Sequence, residues 1–485
     1  MDFRLLLPEI ILASTALLVV LGDLFISRKG FQTIVSLLGI AASIIAVLTL
    51  TNQNPQAIWE GLLVYDRLAF FMKLLFLGLA ALVILASTDY VRRMRNFHGE
   101  YLALILISTL GMMLLTSATN LISVFVALEL TSVPLYALTG FLKNQRGTES
   151  ALKYVLLSAV NSALLLYGLA LIFGFTGTAS LSGVAQTISA LPAKELWAQP
   201  GLVLGLVLVL AGFGFKIAAV PFHMWAPDVY EGSPTPIALL LSAGSKLAGF
   251  AILLRIPISA FSAPAGLTNG WGILLAILAA LGMCLGNLLA IPQTNIKRLL
   301  AYSGIAHSGY MLITMAVVGI AGFSINTPVS SLLFYMLAFA LAEVVVFTAV
   351  IIVSERIGDQ IADYAGLGRR APWLALALTI GLISLTGIPP TAGFIAKFTI
   401  FSSAAEGGLW WLVIIAVLNT VISAYYYLRV VRLIWQGTAL ENTSPTASKV
   451  PKIVLLITTL AVLAIGLIPV WGMKLAEFGA VIFTP

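Results

Sequence analysis

Fourteen stretches of about 20 mostly apolar residues follow one another along 485 residues, and a helix of that length crosses the ~30 Å hydrocarbon core of a bilayer. They cover 5–26, 31–50, 68–87, 100–117, 120–141, 153–175, 201–220, 235–256, 271–290, 299–319, 330–353, 372–400, 409–433 and 453–470, numbered here as spans 1 to 14. A membrane β-barrel would show strands of about 10 residues with alternating polarity, so these runs predict an all-α polytopic membrane protein. Hydrophobic residues make up 60% of the chain and charged ones 9%, against about 25% charged in soluble domains. A soluble enzyme is excluded. The 41 glycines fit membrane helices. Cys284, the only cysteine, excludes an internal disulfide, an iron–sulfur cluster or a cysteine-based zinc site held by this chain alone. No clearly basic segment precedes span 1, so it reads as a retained helix rather than a cleaved signal peptide.

The net charge of +7 reports topology before it reports a polyanionic partner. Sixteen Lys and Arg, from Arg28 to Lys452, fall in one set of loops, and five (Arg4, Arg67, Lys194, Arg255, Lys474) fall in the alternate set. The alternation holds through all fourteen spans. The richer side is therefore expected in the cytoplasm, with both termini outside.

Five lysines remain, and they lie inside apolar runs: Lys73, Lys153, Lys216, Lys246 and Lys397. A lysine facing lipid at mid-bilayer costs about 2.5–3.5 kcal/mol even on lenient scales. Deep ones must face protein or water, and they should pair. Lys73 stands a few residues inside span 3, where snorkelling explains it. Lys153 opens span 6, where a snorkelling position and a functional one both fit. Lys216, Lys246 and Glu129 lie deep in spans 7, 8 and 5, and Lys397 follows a break in span 12. Glu343, deep in span 11, is either functional or the partner of a nearby polar group. His223 and His307 read either as hydrogen-bonded core residues or as neutral imidazoles that pass protons. Three histidines without HxxxH spacing do not predict a metal site.

Two spans carry proline and glycine where an ordinary helix would not. Pro221 follows span 7 with three further prolines close behind, and span 12 contains Gly387, Pro389 and Pro390. Proline removes a backbone donor and clashes one turn back, and broken helices at matching places in two halves point to an ion site. Spans 4–8 and 9–13 form two blocks of five, and in each block the fourth helix is broken. An odd number of spans per block makes the second block enter from the opposite face. The expected organisation is three N-terminal helices (1–99), inverted five-helix repeats (100–257 and 271–435) and a C-terminal helix (450–485).

The runs KIAAVPFHMWAPDVYEGSPTP, NIKRLLAYSGIAHSGYM and GIPPTAGFIAKF resemble the antiporter-like membrane subunits of proton-pumping NADH:quinone oxidoreductase, respiratory complex I. The DVYEGSPTP form is similar to subunit N, as is a lysine rather than an acid in span 12. The resemblance implies a span-5 glutamate at Glu129, its span-7 partner Lys216, a connecting lysine at Lys246, a span-12 lysine at Lys397 and an additional span-6 lysine at Lys153. His307 falls in the span-10 motif. Glu343 matches no implied role, and Glu343 and His223 stay secondary candidates.

The implied function is proton translocation coupled to quinone reduction in partner subunits, by a chain that is part of the enzyme but holds no redox centre. Flavin, iron–sulfur clusters and quinone are expected on partners, with no cofactor or metal on this chain. Expected neighbours are an M-type antiporter-like subunit, small membrane subunits and lipid, with the quinone pool reached indirectly and no nucleic acid. A carboxylate near a buried lysine favours the charged form, so moving Glu129 from Lys216 would release a proton through Lys246 and His307 toward Lys397. The alternative is a subunit of a multisubunit cation/proton antiporter or membrane-bound hydrogenase. The basic loops fit a bacterial inner membrane better than a thylakoid or an organelle's inner membrane.

Overall fold

The computed structural model describes residues 3–26, 29–93, 97–192, 195, 198–261, 265–319, 325–438, 445 and 447–482. Three loop cations of the topology argument, Arg28, Arg95 and Lys194, lie outside them. A helix lies over each apolar run. Span 1 is Leu7–Phe25, span 3 Arg67–Ala86, span 4 His98–Ser117, span 5 Leu121–Thr139, span 6 Gln145–Thr176 and span 7 Pro200–Lys216. Span 8 is Thr235–Ala260, span 9 Ala265–Ala290, span 10 Ile296–Val318 and span 11 Asn326–Ser354. Span 12 is two helices, Pro372–Thr386 and Ala392–Glu406, followed by span 13 at Trp410–Gln436 and span 14 at Lys449–Leu467. Among the described residues, 11 helices are long and apolar enough to cross a membrane, and Pro200–Lys216 and Pro372–Thr386 are shorter apolar helices. A short hairpin, Gln56–Ile58 against Leu63–Tyr65, stands among the helices.

Apolar composition does not say which helices are central, because lipid tails are as apolar as leucine. Packing decides it. The apolar window of span 8 is wholly buried and that of span 11 is 89% buried, whereas those of spans 6, 13 and 14 are 33% buried. Spans 8 and 11 therefore form the centre. Small residues bring neighbouring helices close: a methyl on Gly309 of span 10 would meet the Met283 amide of span 9 at 2.6 Å.

Hydrogen bonds between loop ends keep to two separate groups. On one side Ile296 donates to the Asp359 carbonyl, Gly366 to the Leu433 carbonyl, and Ser448 to the Asp89 carboxylate. On the other, Thr119 donates to the Leu62 carbonyl and Leu121 to the Ala179 carbonyl.

Two charges sit deeper than their sequence context suggests. Lys73 does not snorkel: it is 1% exposed and ion-paired at 2.6 Å with Glu9 of span 1, which lies beneath the same surface. Arg255, counted with the loop cations, is fully buried and grips both Asp66 oxygens at 2.9 Å. In both pairs the partner is remote in sequence, which is why pairing rather than snorkelling wins.

Candidate functional site

The site is built where helices fail to continue. Span 7 ends at Lys216, four residues short of its predicted end and before Pro221. The chain then turns through Ala218 at φ 54° and a cis Val220–Pro221 bond into a short helix, Trp225–Gly232. Carbonyls freed at such an end need partners inside a membrane, and neighbours supply them. The Gly212 carbonyl accepts from Asn161, Phe215 from the Trp225 indole and Ile217 from Ser308 at 2.6 Å.

The span 12 break is closed differently. Gly387 takes the left-handed conformation at φ 85° that ends Pro372–Thr386, and the cis Pro389–Pro390 bond follows. Lys397, on the second half-helix, reaches back and donates to the Thr386 carbonyl at 2.8 Å. A cation at a helix C-terminus meets the negative end of the helix dipole. Its ammonium also lies 4.5 Å from the centre of the Tyr310 ring. The two lysines thus come from opposite sides of their breaks: Lys216 ends the helix before its break, and Lys397 lies in the helix after it.

Lys246 opens the α-helical part of span 8 directly after a π-helical turn, Leu240–Ser245. Such turns are uncommon and recur at functional sites. Its ammonium is buried, without a hydrogen-bond partner, 5.8 Å from the centre of the Phe339 ring of span 11. His307 lies tilted against the same ring at 4.9 Å and shares a 2.7 Å hydrogen bond with the Tyr335 hydroxyl. His307, Tyr335 and Lys397 line one small cavity with Ser384 and Gly393. Lys216 joins from the other end. Its stem packs against Gly249, one turn from Lys246, where a methyl would stand 3.2 Å from the lysine Cγ.

Lys216, Lys246, His307 and Lys397 therefore form one buried line, each no more than 5% exposed. Glu129 stands at its end and is only partly buried. Its carboxylate accepts from Ser162, while Lys216 donates to Ser132, one turn along the same helix, at 2.8 Å. Among the described residues Glu129 forms no direct ion pair; it acts on Lys216 through space, across one hydroxyl-bearing turn.

Two predicted residues lie elsewhere. The Lys153 side chain is 45% exposed and paired with Glu149 at 2.8 Å and Asp228 at 3.0 Å. Asp228 also binds Arg298 at 2.6 Å, and Arg298 binds Glu231 at 2.9 Å. Partial burial would push the Asp228 carboxyl up, but hydrogen bonds from Lys153 and Arg298 and their charges hold it below its ordinary range. His223 lies in the turn after span 7, half-buried. Pro221, Pro389 and Pro390 are exposed.

Room for the Lys246 ammonium is a missing side chain. A methyl on Gly304 would stand 2.5 Å from Lys246 Nζ. Gly304→Ala is expected to displace that ammonium and cut proton pumping severalfold while the subunit still assembles, since alanine favours the helix by about 1 kcal/mol. Membrane vesicles carrying the variant complex measure this, and unaltered pumping refutes the tight fit.

Comparisons with known proteins show the family. The family described as NADH:quinone oxidoreductase/Mrp antiporter, TM matches residues 118–423, which hold the whole buried line. NADH-quinone oxidoreductase subunit N of Dehalococcoides mccartyi is 47% identical over 481 residues, 98% of each chain. The protein of the same name from Trichlorobacter lovleyi is 43% identical over 436 residues, 89% of this chain and 87% of its own. A chain of respiratory complex I from Thermus thermophilus superposes with a TM-score of 0.81 at 34% identity, covering 97% of this chain and 99% of that one. A chain of the Mrp complex from Dietzia sp. DQ12-45-1b shares the fold at a TM-score of 0.85 and 19% identity, covering 99% and 97%. This chain belongs to the family of antiporter-like membrane subunits shared by NADH:quinone oxidoreductases and Mrp antiporters, in its subunit N branch.

Proposed function

We propose that this chain translocates protons as a membrane subunit of a NADH:quinone oxidoreductase, without a redox centre of its own. The observation that supports the reading is the burial of Lys216, Lys246, His307 and Lys397 between two broken helices, with Glu129 one turn from the serine that Lys216 bonds. Buried amines next to loosened backbone can lose and regain a proton, and each proton moved against 100 mV costs about 2.3 kcal/mol. Neutralising or displacing Glu129 would release the proton held at Lys216. It would then pass by Lys246 and His307 toward Lys397. Lys153, in its surface ion-pair cluster, serves as a link to the aqueous side or to a neighbouring subunit rather than as a mid-membrane carrier.

The same reading makes spans 4–8 and 9–13 inverted repeats. It places the chain in a bacterial inner membrane with both termini on the periplasmic side, and leaves flavin, iron–sulfur clusters and quinone to partner subunits. The antiporter alternative has less support, because the Mrp likeness at 19% identity is one of fold alone.

Glu129→Gln, Lys216→Ala and Lys246→Gln, each in the intact complex in membrane vesicles, test the relay. Each is expected to lower quinone-linked pumping severalfold, and NADH oxidation with it where the two are tightly coupled. Full pumping in all three would remove the relay from the mechanism.

A further inference from the structure

Glu343 is absent from the relay above, yet it is fully buried at the centre of span 11, and among the described residues its carboxylate forms no close ion pair. It lies one helical turn beyond Phe339, on the same face. That face meets Lys246, whose ammonium sits over the Phe339 ring and is also unpartnered. Lys246 and Glu343 act on each other electrostatically. Ser242 and Ser245, in the π-helical turn just before Lys246, are buried as well, and the Ser242 hydroxyl faces the Glu343 carboxylate. Buried polar atoms in native proteins are nearly always satisfied by protein or water. A lysine, a glutamate and two serines buried together at the junction of the two central helices must therefore satisfy one another or water, and they form a polar chamber within the apolar bundle.

Resting on the relay reading above, we infer that Glu343 is a proton-exchanging member of the line, sharing one proton with Lys246. The exchange is balanced within the pair: a carboxylic acid and a neutral amine become a carboxylate and an ammonium, with no other reactant. One form carries two opposite charges and the other none, so the pair can hold a proton at the bilayer centre in either form. Other ionisable groups face Glu343 from two further elements, Tyr230 of the Trp225–Gly232 helix and Tyr427 of span 13. Tyr427 is hydrogen-bonded to Ser303 of span 10. Tyr230 lies between Asp228 and Glu231 in sequence, so its short helix joins the chamber to the Lys153–Asp228–Arg298 cluster at the bundle edge.

The test uses the whole complex in proteoliposomes. Glu343→Gln is expected to cut pumping severalfold at normal assembly, and Glu343→Asp to restore most of it. Normal pumping by Glu343→Gln, beside loss in Lys246→Gln, overturns this inference and leaves the relay standing; normal pumping in both overturns the relay itself. Should Glu343→Gln fail to assemble, redox-induced infrared difference spectra of Glu343→Asp decide. A shifted protonated-carboxyl band supports exchange at this residue, and an unshifted spectrum refutes it.

Discussion

Lys397→Ala is expected to abolish pumping, and Lys397→Arg to abolish it too while preserving the assembled subunit. The alanine variant removes two things at once. The Thr386 carbonyl loses the ammonium that satisfies it at 2.8 Å, and the end of the first half-helix loses its counter-charge. A cation in a partly buried C-terminal position contributes up to about 2 kcal/mol. Arginine keeps the charge and the donor but cannot give up its proton in a protein. It therefore separates a lysine that holds the break closed from one that hands a proton on. Quinone-linked acidification in vesicles, scored against subunit content in the purified complex, gives the answer. Pumping retained by Lys397→Arg would make Lys397 a structural cap, and the line would end at His307.

A second large effect is expected far from the line. Asp66→Ala or Arg255→Ala should remove the subunit from the membrane, whatever the pumping machinery is doing. Arg255 is fully buried, holds both Asp66 oxygens at 2.9 Å and donates to the Thr116 carbonyl at 2.8 Å. Asp66 also caps the start of span 3 through the Ala69 amide. Breaking one side of a buried pair leaves an uncompensated charge and costs about 3–5 kcal/mol. That is a large part of a typical total stability of about 5–15 kcal/mol. Replacing both partners with apolar residues of similar volume is expected to recover much of the loss. Immunoblots of membranes and melting curves of the purified complex report both effects. Single variants that accumulate normally would show that the pair is dispensable.

Much of the site was legible before any coordinates. Charge inside an apolar run is costly enough to be informative one residue at a time, and that reasoning singled out Lys216, Lys246, Lys397, Glu129 and Glu343. Proline and glycine likewise marked both breaks. Where the same reasoning misplaced a residue, the missing information was distance in space. Lys73 read as a snorkelling residue because nothing near it in sequence shows Glu9. Arg255 read as a loop charge because Asp66 is 189 residues away. The π-helical turn before Lys246, LLSAGS, has no proline and a single glycine, so local sequence does not announce it.

From its residues alone, this chain was bound to be a bundle of membrane helices with amines at mid-depth, because the cost of apolar surface in water and of charge in lipid attaches to composition and position along the chain. Tertiary structure decided which apolar helices are central, which carboxylate meets which amine, and which side of each break presents its lysine. Lipid and protein interior are equally apolar, so only side-chain packing distinguishes an inner helix from an outer one.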